Sequence, residues 1–135
     1  MSQCTHALVR CMDFRLESAI EEYLENNGIV NNCDIISVAG ATKDLIEDPE
    51  GFVATQIDIS KRLHLIDTLI IMHHMDCGGY GGHSAFAGIE AEHAFQIEQM
   101  EKSKVILEGK YNGLKVVMAL AEIDENNIVT IAEIE

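Results

Sequence analysis

The feature that most constrains the fold is the run DTLIIMH at residues 67–73, where apolar side chains follow one another without alternating polar ones. A strand with one face in water alternates, whereas a strand covered on both faces does not. The run therefore predicts a central parallel strand between two layers of helices. It ends abruptly at His73 and His74, which are followed by Asp76, Cys77 and four glycines within a few residues.

Apolar runs and segments of helical periodicity alternate along the chain, which predicts an α/β fold with right-handed crossovers. Strands are predicted over residues 7–13, 33–40 and 67–73. Helices are predicted over residues 16–28, with Gly28 as the C-cap, over 52–65 and over 84–105. The last two runs, 113–123 and 128–134, are joined by DENN and predict an antiparallel pair of strands. In the common 2-1-3 strand order, the first and third strands are neighbours.

Two helical details carry specific expectations. The segment EDPE predicts a helix start, with Asp48 as the N-cap and Pro49 in the first helical position. In the third helix, a stripe of mostly apolar residues near helical spacing predicts the buried face: Phe86, Ile89, His93, Ile97 and Met100.

Composition bounds the class of protein. The 135 residues fit one domain, predicted over 1–135, and 47% of them are apolar, enough for a core. The net charge of −14 argues against nucleic acid and anionic membrane surfaces as partners, because both require basic residues. The sequence contains no 18-residue apolar run and no secretory signal pattern, so we predict a cytoplasmic protein. Its four cysteines are then expected to be reduced thiols, available for metal binding or catalysis.

Two groups of metal-capable residues fall at neighbouring strand ends. Cys11 ends the first predicted strand, and His74 and Cys77 follow the third with the spacing His-x-x-Cys. Thiolates and imidazoles suit Zn²⁺, and three protein ligands leave the fourth tetrahedral position open, as in catalytic zinc sites. Cys4 and Cys33 are poor candidates for a fourth ligand, because they lie at the opposite end of the sheet.

Neighbouring polar residues have candidate supporting roles. Asp13 can accept a hydrogen bond from a zinc-bound water or ligate the metal itself, and Arg15 can keep that carboxylate ionised. His73 is the competing ligand, but the spacing favours a packing or hydrogen-bonding role beneath the site. Asp76 is interpreted as an acid that caps the loop, and the alternative is a supporting role behind the metal ligands. His83 is interpreted as a loop histidine, and the alternative is a role in proton transfer.

The glycines 78, 79, 81 and 82 match no phosphate-binding motif and are interpreted as allowing a tight path around the metal. His93 is expected to be packed or to lie at an interface.

The paired motifs CMDFR (Cys11, Asp13, Arg15) and HMDCG (His74, Cys77, Gly78) resemble those of the beta-class carbonic anhydrases. The resemblance covers most of the chain and implies a sheet of order 2-1-3-4 with a final antiparallel strand. It implies Zn²⁺ bound by Cys11, His74 and Cys77, with Asp13 and Arg15 as a regulatory and proton-handling dyad. It further implies reversible hydration of CO2 to bicarbonate by zinc-bound hydroxide, and assembly into a homodimer or higher homo-oligomer.

The chain departs from the family pattern in three places. Ser37 and Val38 stand where the family has Arg-Asn before Ala-Gly, Phe14 fills a position that is commonly small, and the segment after Cys77 is short. Two alternatives therefore remain open. One is a hydrolase of a CO2 analogue, CS2 or COS, on the same scaffold. The other is a zinc-binding or regulatory protein without turnover, in which Asp13 occupies the fourth zinc position.

Overall fold

Five strands form one sheet in the order β2-β1-β3-β4-β5 in the computed structural model, which describes residues 2–135. The strands are β1 (His6–Cys11), β2 (Cys33–Val38), β3 (Thr68–His74), β4 (Lys115–Ile123) and β5 (Val129–Ile134). The first four are parallel to their neighbours, and β5 runs antiparallel to β4. The predicted strand order, with a final antiparallel strand, is confirmed.

Four α-helices cover the two faces of the sheet: α1 (Glu17–Asn26), α2 (Lys43–Glu47), α3 (Phe52–Ile59) and α4 (Ile89–Lys110). The α3 helix continues as a π-helical turn over Ser60–His64, so together they span the predicted second helix. Gly28 follows the end of α1 with φ 66°, a conformation that glycine adopts without strain. Within residues 2–135, no helix is both long enough and apolar enough to cross a membrane.

The β3 strand lies between β1 and β4, and all seven of its residues are buried. Its side chains point alternately to two apolar layers, as the pleat of a strand requires. Ile70 and Met72 pack in the layer that includes Ile20 of α1. Leu69 and Ile71 pack in the opposite layer, against residues of α2, α3 and α4. The continuous apolar run of the sequence is explained by this double burial.

The predicted helix start at Asp48 and Pro49 is wrong. Asp48 instead follows α2 as its C-cap, and the next helix begins at Phe52. The carboxylate of Asp48 accepts a hydrogen bond from the Glu50 amide, and its carbonyl accepts one from Gly51. Asp48 therefore caps a turn, a geometry that Asp-Pro favours as readily as a helix start.

The predicted buried face of the third helix is also wrong, although the helix exists. It starts five residues later than expected, and Ile89 is 60% exposed. Only Met100 of the predicted stripe is fully buried. The buried face is largely polar, and its members are Glu92, Gln96, Gln99, Met100, Ser103 and Leu107. Glu92, Gln96 and Ser103 have hydrogen-bond partners in other elements, whereas Nε2 of Gln96 has none among the described residues.

Candidate metal centre

The two groups of metal-capable residues meet at the carboxyl ends of β1 and β3. Cys11 ends β1, His74 ends β3, and Cys77 lies three residues further on. Because the two strands are parallel neighbours, their ends lie side by side. One donor atom from each residue lies within 4.8 Å of the other two, and the two sulfur atoms are 3.9 Å apart. All three side chains are buried, with exposures of 5% or less.

The imidazole of His74 has one nitrogen in use and one without a partner. Its Nδ1 lies 2.7 Å from the carbonyl oxygen of Met75, so Nδ1 carries the proton. The buried Nε2 has no hydrogen-bond partner among the described residues. Burying an acceptor nitrogen without a hydrogen-bond donor costs free energy, and binding of a cation or a proton to its lone pair removes that cost. The nitrogen is oriented as a zinc ligand requires, with the other nitrogen held by a carbonyl.

The two thiols of the centre influence each other strongly. The contact with Cys77 is the main cause of the lowered pKa of Cys11, and the Gly40 amide contributes in the same direction. The same contact, together with burial, raises the pKa of Cys77. One thiol thus ionises readily and the second does so only if a cation compensates the added charge. Two sulfurs and one imidazole nitrogen in this arrangement fit Zn²⁺.

Asp13 and Arg15 form a tightly held ion pair beside the centre. The Nη2 atom of Arg15 lies 2.8 Å from Oδ2 of Asp13, and the Arg15 amide donates to Oδ1 at 2.8 Å. Hydrogen bonds from Arg15 lower the pKa of Asp13 to about 2. Oδ2 of Asp13 is 3.9 Å from Nε2 of His74, so this carboxylate faces the nitrogen that has no partner.

Asp76 connects this ion pair to the loop that carries Cys77. Its carboxylate receives Nη1 of Arg15 at 3.2 Å, and its carbonyl receives Nη2 at 3.1 Å. It also accepts the backbone amide of His83 at 2.9 Å, which is the loop-capping role expected from the sequence. Asp76 therefore acts as a loop cap and as a second anchor for Arg15, and its role behind the metal ligands stays a prediction.

His73 packs beneath the centre, where the sequence placed it. Its Nδ1 donates to Oε1 of Gln96 at 2.8 Å, and its Nε2 lies 2.6 Å from the hydroxyl of Thr42. Both ring nitrogens are thus occupied. Burial lowers the pKa of His73 to about 4, so the ring is neutral at physiological pH. These contacts favour a structural role for His73.

Glu92 is a residue that sequence reasoning missed. It is 1% exposed, and its carboxylate accepts the Asp76 amide and the Nδ1 atom of His83, both at 2.5 Å. His93, by contrast, is half-exposed, with its ring 3.8 Å from a carboxylate oxygen of Glu122. A sequence signal for Glu92 exists, because four polar residues recur at helical spacing on α4: Glu92, Gln96, Gln99 and Ser103.

We expect Glu92→Ala to lower the free energy of unfolding by about 1–3 kcal/mol, because it leaves the part-buried amide of Asp76 without its acceptor. Denaturant unfolding of the full-length chain measures the change. Glu90→Ala is the matched control, since Glu90 is exposed on the same helix and should change stability little. Equal stabilities of the two variants would show that Glu92 does not hold the loop.

The glycine-rich segment allows a close approach between the Cys77 loop and the end of β2. A Cβ atom on Gly79 would lie 3.1 Å from the Cα and nitrogen atoms of Gly40, closer than backbone atoms accommodate. Gly40 in turn has φ 77° and presents its amide to Cys11. The glycines therefore serve loop packing, in agreement with the sequence interpretation.

The five-stranded sheet with helices on both faces defines an α/β protein with the fold of the beta-carbonic anhydrases. Beta-carbonic anhydrase isoform I of Trichomonas vaginalis superposes with a TM-score of 0.66 at 17% identity, covering 96% of this chain and 82% of that one. The beta-carbonic anhydrase of Aspergillus fumigatus superposes with a TM-score of 0.53 at 12% identity, covering 97% and 76%. These likenesses concern the fold.

A family model described as "Putative carbonic anhydrase" matches residues 1–131, and the chain belongs to this family. Two uncharacterized proteins are similar in sequence. The one from Rickettsia conorii is 28% identical over 131 residues, covering 92% of this chain and 70% of that protein. The one from Rickettsia bellii is 25% identical over 131 residues, covering 92% and 80%.

Proposed function

We propose that this protein is a zinc-dependent lyase that catalyses the reversible hydration of CO2 to bicarbonate. The observation that carries the proposal is the buried Nε2 of His74, which has no partner among the described residues and faces the ionised Asp13. The sulfur atoms of Cys11 and Cys77 complete the donor set. Membership of the family and the fold of its solved relatives support the same reaction class.

The donor set would hold one Zn²⁺ through Cys11, His74 and Cys77. Bound Zn²⁺ lowers the pKa of a coordinated water to about 7 and so supplies hydroxide at neutral pH. Asp13 would accept a hydrogen bond from that water and orient it towards CO2. Arg15 keeps the carboxylate ionised and in position through its paired contacts.

The geometry of Asp13 favours turnover over a closed, non-catalytic site. Its carboxylate is held by Arg15 and is not among the donor atoms that cluster within 4.8 Å of one another. Three protein donors would leave the fourth position of a tetrahedral zinc to water. Phe14 is 83% exposed and does not fill the space around the donors.

Stopped-flow CO2 hydration by the zinc-loaded protein tests the proposal. We expect a rate far above that of the same concentration of free Zn²⁺. A rate equal to free zinc, with the metal demonstrably bound, would contradict it. Assaying sulfide release from CS2 and COS on the same preparation separates the analogue hydrolase from carbonic anhydrase. Turnover of none of the three would favour the regulatory alternative.

We also propose that the chain assembles as a homodimer or a higher homo-oligomer. Large apolar side chains are exposed next to the centre, with Met12 at 63% and Phe14 at 83% exposure, and burial in an interface would stabilise them. Light scattering of the purified protein should give a mass that is a multiple of 14.9 kDa, at least twice the mass of one chain. A monomer at micromolar concentration would contradict the proposal.

The cytoplasm is the location that we propose for the protein. Its four cysteines, Cys4, Cys11, Cys33 and Cys77, are all free. Free thiols and thiolate metal ligands persist in reducing compartments. Fractionation of cells that produce the protein tests this location, and recovery from an oxidising compartment would contradict it.

A further inference from the structure

A second cluster of metal-ligating side chains lies at the opposite end of the sheet from the candidate metal centre. Cys4 precedes β1, Asp34 lies in β2, and His64 ends the π-helical turn after α3. One donor atom of each lies within 4.8 Å of the other two. The eight residues from Cys4 to Cys11 span about 23 Å of extended chain, so the two clusters are separate.

The backbone holds these three segments together without a metal. The amide of Cys4 donates to the carbonyl of His64 at 3.0 Å. The next amide, that of Thr5, donates to Oδ1 of Asn32 at 2.9 Å, two residues before Asp34. The donors are therefore carried by segments whose relative positions are set by hydrogen bonds, so little ordering is needed for a ligand to bind.

Hydrogen bonds position each of the three side chains of the cluster. Oδ2 of Asp34 accepts the hydroxyl of Ser60 at 2.6 Å and lies 2.7 Å from Nδ1 of His64. The thiol of Cys4 donates a hydrogen bond to the carbonyl of His6 at 3.5 Å. Burial and the nearby negative charge of Asp34 raise the pKa of Cys4. A divalent cation would offset the effects of burial and of the Asp34 charge on Cys4, because it attracts both the thiolate and the carboxylate.

The cluster is accessible to an ion from solvent. Its donors line an open cavity of about 270 Å³, which Cys33 also lines. The side chains of Asp34 and His64 are 30% and 37% exposed. An ion can thus enter without unfolding of the sheet, whereas the three donors of the candidate metal centre are almost completely buried.

We propose that Cys4, Asp34 and His64 form a second metal site, which binds Zn²⁺. A thiolate, a carboxylate and an imidazole are all zinc ligands, and a thiolate disfavours Ca²⁺ and Mg²⁺. Zinc needs its donors about 3.5 Å apart, given ligand distances of about 2.0–2.3 Å. The donor atoms lie within 4.8 Å of one another, which is close to this spacing. The metal would join three separate segments of the chain, and the proposal does not depend on carbonic anhydrase activity.

Zinc stoichiometry of the full-length protein tests this site. The wild type and its variants are dialysed to equilibrium against micromolar Zn²⁺ alone, and bound zinc is measured by mass spectrometry. We expect two equivalents per chain in the wild type and one in Cys4→Ser. Cys33→Ser is the matched control, since this thiol lines the same cavity but lies outside the donor set, and it should retain two. His64→Gln should also bind one equivalent of zinc, and it replaces Cys4→Ser in the test if Cys4→Ser fails to fold.

Cys77→Ser distinguishes the two sites. It should bind one equivalent, retained by the second cluster, and the double variant Cys4→Ser/Cys77→Ser should bind none. The proposal would be overturned if the wild type bound one zinc per chain and this zinc were lost in Cys77→Ser but kept in Cys4→Ser. It would also be overturned if Cys4→Ser and His64→Gln each still bound two equivalents. If the wild type bound one zinc per chain and only Cys4→Ser and His64→Gln lost it, the result would support the second site. It would contradict the zinc centre of the proposed function.

Discussion

Replacing His74 by alanine is expected to remove one zinc equivalent per chain and to reduce CO2 hydration to the rate of free Zn²⁺ in buffer. The imidazole is the only nitrogen donor of the candidate metal centre, and its Nε2 has no protein partner among residues 2–135 that would compete with the metal. Without it, Cys11 and Cys77 remain as two buried thiols that share one proton. Two donors are too few for the three-ligand geometry of catalytic zinc.

Bound zinc and stopped-flow hydration are measured on the same preparation of His74→Ala. His93→Gln is the matched control, because His93 is half-exposed on α4 and contacts only Glu122 among charged groups. It should retain the metal and the activity of the wild type. Circular dichroism of both variants verifies that the sheet has formed. Wild-type activity in folded His74→Ala would show that the chemistry does not occur at this centre.

The second large effect is expected for Asp13→Asn, which should lower CO2 hydration about 100-fold or more while leaving the zinc content unchanged. The substitution keeps the shape of the side chain but removes the charge that Arg15 holds and that orients the reacting water. Losses of roughly 10²–10⁴-fold are typical when a positioned acid or base is removed. If Asp13 were instead a permanent zinc ligand, the metal content would fall as well.

The pH dependence of this effect follows from the low pKa of Asp13. Hydrogen bonds from Arg15 hold that pKa at about 2, below the ordinary value of 3.8, so the carboxylate is ionised throughout the neutral range. The ion pair therefore contributes stability at pH values above about 4, and this contribution is lost as the pH falls towards 2. Between pH 5 and 9, the wild-type activity should show no transition that Asp13→Asn removes.

Glu17→Gln is the control for loss of a carboxylate near an arginine. Glu17 accepts Nη1 of Arg10 at 2.8 Å but is 76% exposed, and it does not contact the candidate metal centre. It should retain wild-type activity. Equal activity of Asp13→Asn and wild type, with zinc bound in both, would assign the orientation of water to another group.

The sequence predicted the central part of the fold because that part depends on periodicity. The uninterrupted apolar run of β3 required burial on both faces, and both neighbours of this strand are now identified as β1 and β4. The parallel arrangement then determined which residues meet, since Cys11 and His74 end adjacent strands. Strand spacing and chain direction suffice to bring such residues together, and both can be inferred from local patterns.

The burial of polar groups could not be predicted in this way. On α4, the polar residues Glu92 and Gln96 face inwards and apolar Ile89 faces outwards, against the usual rule for a helix. That arrangement is stable because partners arrive from other elements, including the amide of Asp76 and the ring of His73. Their sequence separations of 16 and 23 residues lie beyond any local pattern.

The sequence patterns by themselves therefore determined the two covered faces of β3 and the candidate donors at the carboxyl ends of β1 and β3, and the family resemblance implied the full strand order. Only the tertiary structure decided that Asp48 ends a helix, that Glu92 holds the loop, and that Cys4 meets Asp34 and His64. The physical reason is the range of the interactions. Apolar burial depends on the period of one segment, whereas a hydrogen bond or a metal site requires specific atoms from distant segments at a defined distance.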